Sequence, residues 1–165
     1  MKNLLQEKSV LEIKERIDNL GEMNIAIWGE MTPSQMMAHC SMALENSLGE
    51  TYYNNTFLLK IWAYWNKRVN RERYTNNELF QPSKLITSKS RIIQQARIDN
   101  PFRITKERDF KTEKEILTNW IDKFHKEGEE KTVKAKHPSF GKFTAKEWAI
   151  GQYKHLDYHL RQFGV

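Results

Sequence analysis

The sequence marks helix starts three times, and that punctuation constrains the fold more than any other feature. At Thr32-Pro33-Ser34-Gln35 a threonine can accept from orphan backbone amides, Pro33 suits a first turn, and Gln35 completes a capping box. Thr144 with Glu147 repeats the box, and Thr112 with Glu115 supplies a third start. Between the starts, apolar residues recur at three- and four-residue steps. Val10, Ile13, Ile17 and Leu20 do so in a first helix over residues 4–20, with Gly21 as its stop. No alternating pattern of useful length competes, so the chain reads as all-α.

The second helix should run from Thr32 to about Leu48 and end at Gly49. A third helical segment is expected over residues 55–73, dense in apolar residues around Trp62. Asn76, Asn77, Pro82, Ser83, Asn100 and Pro101 then break residues 75–111 into a long connection, with one short helix near 90–97. Connections of that length often cover a site or an interface. From Thr112 onward, Leu117, Trp120, Ile121 and Phe124 form one apolar face before Gly128, and the charged run 127–136 reads as a solvated loop. The last helix opens at Thr144 and continues to about Phe163. The count predicts a single-domain four-helix bundle over residues 1–165 with a long crossover in the middle.

Composition narrows the class. In 165 residues, five Trp, six Tyr and eight Phe within a 39% apolar chain can fill a core, which excludes disorder throughout. The lone Cys40 excludes an internal disulfide and any four-Cys zinc site, so a reducing, cytoplasmic setting is expected. The N-terminal stretch interleaves charge with apolar residues, so neither a signal core nor a membrane span is expected.

The formal charge of +6 is uneven. Residues 1–59 hold four Lys/Arg against eight Asp/Glu, 60–111 hold thirteen against five, and 112–165 hold ten against eight. In the middle third, Lys60, Lys67, Arg68, Arg71 and Arg73 surround Ile61-Trp62-Ala63-Tyr64-Trp65, a mixture that suits a single-stranded nucleic-acid groove. An amphipathic helix with a solvated basic face explains it more simply, because no nucleic-acid module signature accompanies the charge.

The chemistry-bearing residues are histidines. His155 and His159 stand four apart in the last helix, so both imidazoles project from one face and can reach one metal ion. Trp148, Gln152, His155, His159 and Gln162 continue that face as a polar stripe, beside an apolar stripe of Ala149, Tyr153, Leu156, Leu160 and Phe163. Leu156 occupies the place where a zinc protease carries its general-base Glu, and no Glu precedes a His by three as in di-iron bundles. His39, which shares a face of the second helix with Met36 and Ala43, is the third inward imidazole. Cys40 points about 100° away and reads as a small buried residue. His137 is a candidate pocket or turn residue, His125 reads as a surface cation near a helix end, and Asp157 and Glu45 are candidate acceptors that would orient the imidazoles.

Two segments carry a family resemblance: Met31-Thr32-Pro33-Ser34-Gln35-Met36-Met37-Ala38-His39, and His137-Pro138-Ser139-Phe140-Gly141-Lys142-Phe143-Thr144 continuing through Glu147-Trp148 to Gln152-Tyr153-Lys154-His155-Leu156-Asp157-Tyr158-His159-Leu160-Arg161-Gln162-Phe163-Gly164. In these the chain resembles a bacterial branch of the DinB/YfiT-like superfamily of metal-dependent helical bundles. The resemblance implies a bundle whose second and fourth helices bind a divalent metal through His39, His155 and His159; three imidazoles suit zinc, nickel, copper and iron alike, and zinc or nickel is expected. It further implies metal-assisted activation of a thiol or water, as in transferases that use low-molecular-weight thiols such as bacillithiol or mycothiol. Trp148, Gln152, His137 and Asp157 would then line or support the pocket of a small-molecule substrate, in a homodimer. A dimeric scaffold without catalysis and a basic nucleic-acid-binding bundle remain the alternatives.

Overall fold

A computed structural model describes residues 1–51, 72, 76, 103–137 and 141–165. The expected helices at 55–73 and 90–97, and the basic residues Lys60, Lys67, Arg68, Arg71 and Arg73 with their aromatic neighbours, lie outside the described residues. Within them the protein is mostly helical, with four helices, α1 (Glu7–Asn19), α2 (Pro33–Ser47), α3 (Phe110–Lys131) and α4 (Ala145–Gln162). Two short strands, β1 (Lys136–His137) and β2 (Gly141–Lys142), pair antiparallel with His137 opposite Gly141. No strand was expected there; two residues per strand are too few to leave an alternating pattern in sequence.

Local chemistry explains where α2 and α4 begin. Thr32 accepts from the Gln35 amide while Gln35 reaches back to the Thr32 amide, and Thr144 and Glu147 do the same. α2 ends at Ser47, with Gly49 taking φ +73°, a conformation that favours glycine. α3 differs from expectation at both ends. Its N-cap is Asp109, whose carboxylate accepts from the Thr112 amide, so Thr112 lies inside the first turn. Gly128 does not stop the helix. α3 runs on to Lys131, whose ammonium pairs with Glu127 one turn back and with Glu50 beyond α2; Lys123 also reaches Glu50. The first part of the expected loop 127–136 is therefore helix, followed by a 3₁₀ turn at Thr132–Lys134.

One core holds the four helices together. Val10, Ile13 and Ile17 of α1, Met36, Met37, Cys40 and Leu44 of α2, Leu117, Ile121 and Phe124 of α3, and Trp148, Tyr153, Leu156 and Leu160 of α4 are all buried in it. Polar contacts fix the helix directions. Leu4, Glu12 and Arg16 meet Ala149, Tyr153 and Asp157 in that order, so α1 and α4 run the same way. Ala43 and His39 meet Gln152 and His155, so α2 runs against α4. Gln35 meets Lys106 and Glu50 meets Lys131, so α2 and α3 are parallel; the chain leaves this pair at one end and re-enters it at the other. No helix among the described residues is long and apolar enough to cross a membrane.

Candidate metal centre

His39 projects from α2 toward the stripe on α4 that carries His155 and His159. Because the two helices are antiparallel, the α4 pair, one turn apart, faces a single α2 position, and one histidine there meets both. The three imidazoles come together edge to face, with ring centroids 4.7 to 5.0 Å apart. The Nε2 atoms converge: that of His155 lies 3.0 Å from that of His39 and 3.1 Å from that of His159. Among the described residues these three are the group of His, Cys, Asp and Glu side chains that could hold a metal ion.

Electrostatics favour ligation. Burial pushes the His155 imidazole well below its ordinary pKa, and the neighbouring His159, His39 and His137 push it further. His159 is lowered to about 3, chiefly by burial and then by His39, while its hydrogen bond to Gln162 opposes the shift. Neutral imidazoles are the ligand form, so the fold keeps these two rings ready for a cation at any ordinary pH.

The donor set fits a divalent transition metal. With metal–nitrogen bonds of about 2.0–2.1 Å, tetrahedral ligands sit about 3.3 Å apart; the two His155 spacings would open by a few tenths of an ångström, and all three ligand atoms already lie within 4.8 Å of one another. Three neutral donors also leave a divalent ion its full charge, with room for at least one more ligand.

No family model, curated protein or solved structure matches the chain. The site therefore stands on its own geometry.

The other residues singled out in sequence divide clearly. Trp148 and Gln152 are buried on the histidine stripe of α4, each only 2% exposed. Gln152 donates from Nε2 to the Ala43 carbonyl of α2 at 3.2 Å, which ties the helices one turn from His39. Among the described residues, its Oε1 and the Trp148 indole nitrogen are buried without a hydrogen-bond partner. His137, placed by β1, packs obliquely on Trp148 and Phe143 with centroids 5.3 and 5.1 Å away, and burial lowers its pKa to about 3. The strand pair thus packs His137 and Phe143 on Trp148 of α4, and His137 lies near enough to His155 to lower its pKa.

Asp157 does not serve the imidazoles. Its Oδ1 accepts from Arg16 and its Oδ2 from Arg161, both at 2.9 Å, while Arg16 also reaches the Val165 carbonyl. Two residues from His155 and from His159, Asp157 faces α1 rather than α2. Glu45 likewise binds the Thr51 hydroxyl. His125 does not sit at a helix end. α3 continues past it, and its ring, half-buried, bonds the Leu4 carbonyl at 3.0 Å. Cys40 is fully buried against Met36, and burial pushes its thiol pKa far up, so it is no nucleophile.

Sequence reasoning placed Gln162 on the stripe but gave it no role. In the structure its Oε1 lies 3.0 Å from His159 Nδ1. The signal was available as the three-residue spacing from His159, which brings the two side chains together on a helix.

Proposed function

We propose that His39, His155 and His159 hold a divalent metal ion, zinc or nickel, in a four-helix bundle of the DinB/YfiT-like kind. The observation that carries this is the convergence of three Nε2 atoms from two helices, in a setting that keeps the His155 and His159 rings uncharged. An ion held there would act as a Lewis acid and acidify a thiol or water that reaches it. We take the reaction class to be transfer to, or hydrolysis of, a small molecule, with a low-molecular-weight thiol as the expected co-substrate for transfer.

The chain's own groups would do the rest. The histidines donate lone pairs and add no charge, which preserves the ion's pull on a fourth ligand. His137, Trp148 and Phe143 form a largely buried aromatic cluster that would keep bulk water away. Equilibrium dialysis against zinc and nickel tests the reading. One ion per chain is expected for the wild type and none for His155→Ala, whose helical circular dichroism should persist. A wild-type chain that retains no ion would overturn it.

A further inference from the structure

The most closely determined polar contact around the histidines lies on the side of His159 away from the other two rings. Gln162, 3% exposed, sits between the His159 Nδ1 atom and the backbone carbonyl of Trp28, at 3.0 Å and 2.6 Å. A backbone carbonyl can only accept, so the amide group that faces Trp28 must be the NH₂. The Oε1 atom is then turned to His159, and an amide oxygen can only accept as well. His159 must therefore carry its proton on Nδ1. In a neutral imidazole that leaves Nε2 as a bare lone pair, directed at the point where the other two Nε2 atoms converge.

The carbonyl that starts this chain of deduction is itself held in place. The Ile27 amide donates to the Gln162 carbonyl at 2.8 Å, and the Trp28 indole donates to the Tyr158 hydroxyl at 3.2 Å. Residues 27 and 28 are thus fastened to the last turn of α4 at two points besides the amide itself. Gly29 follows at φ +85°, and a Cβ built there would collide with Gln162 Nε2. That φ favours glycine, and a side chain there would push the Gln162 amide out of place.

We infer that Gln162 is a positioning residue: oriented by the Trp28 carbonyl, it fixes His159 in the Nδ1–H tautomer and so presents a ready lone pair to the metal. The metal half of this assignment rests on the three-imidazole reading. The tautomer half stands without it, because the deduction starts from a carbonyl and passes through no metal.

The two halves separate experimentally. In the metal-free wild type, ¹⁵N NMR of the imidazoles should give His159 with Nδ1 protonated and Nε2 bare. In Gln162→Met, which keeps the shape and removes the acceptor, the His159 proton should move to Nε2, and zinc affinity measured by chelator competition should fall about 10- to 100-fold. Gln162→Glu, which can still accept from Nδ1–H but cannot donate to the Trp28 carbonyl, should keep the tautomer and recover only part of the affinity. Gly29→Ala, which displaces the amide without deleting it, should weaken zinc several-fold even if Gln162→Met fails to fold. A wild-type His159 protonated on Nε2 overturns the assignment, as does an unchanged tautomer in Gln162→Met. A correct tautomer in a chain that binds no zinc would sustain it and overturn the metal reading alone.

Discussion

Two glutamines bracket the histidine pair of α4, one three residues before His155 and one three residues after His159, and the fold treats them differently. Gln162 is satisfied at both ends of its amide, by a histidine and by a backbone carbonyl that a glycine lets come close. Gln152 donates to Ala43 from one end and, among the described residues, leaves a buried oxygen without a partner at the other. The first arrangement determines the state of a neighbouring ring; the second only joins two helices. Position on the stripe is therefore not enough to make a side chain part of the site, and what lies behind it on the next element decides.

The sharpest way to break the comparison is to remove one of the two histidines that stand between the glutamines. His155 is the ring whose Nε2 touches both others, so His155→Ala should abolish stoichiometric zinc binding, read by elemental analysis after dialysis. Asp157 lies between the two histidines in sequence yet faces elsewhere. Asp157→Ala would remove the buried carboxylate that two arginines share and should destabilise the chain by about 3 kcal/mol in urea unfolding. Its zinc affinity should stay within a few-fold, and a tenfold loss would mean that Asp157 supports the imidazoles after all.

A smaller effect belongs to Gln152. Gln152→Met removes one hydrogen bond and also the orphan oxygen, so stability should change by less than about 1 kcal/mol and zinc affinity hardly at all. An affinity loss matching that of Gln162→Met would erase the distinction. The smallest effect concerns pH, at the end of α2 beyond Ala43. Lys131 and then Lys123 hold the exposed Glu50 carboxyl down at about 2. Its folded value lies below its ordinary one, so its contribution is complete above about 4.5 and fades as pH falls toward 2. Carboxyl NMR should place the Glu50 midpoint in that lower range, and Glu50→Gln should flatten this part of the acid-unfolding curve; a midpoint near 4.5 would contradict it.

The sequence made α2 and α4 legible because their starts depend on residues three apart, and a capping box is complete in four letters. α3 was read late at Thr112 because Thr112 and Glu115 mimic a box, whereas Asp109 caps with no partner at the third position. Its far end was hidden because the ion pairs that carry it past Gly128 reach Glu50, far away in the chain. The same divide holds in the site. His155 and His159 face one way by helical arithmetic, and Gln162 lay on that arithmetic too. Its role depended on the carbonyl of Trp28, 134 residues away, which no spacing rule connects to it. Asp157 misled for the reciprocal reason: its neighbours in sequence are histidines, and its partner in space is Arg16, 141 residues distant.

The central claim is that one ion sits among the three Nε2 atoms. Anomalous diffraction from crystals grown with zinc tests it most directly. The account predicts a single strong peak per chain within about 2.0–2.1 Å of the Nε2 atoms of His39, His155 and His159. A peak bound by other residues, or none at this position in a well-ordered crystal, would contradict it.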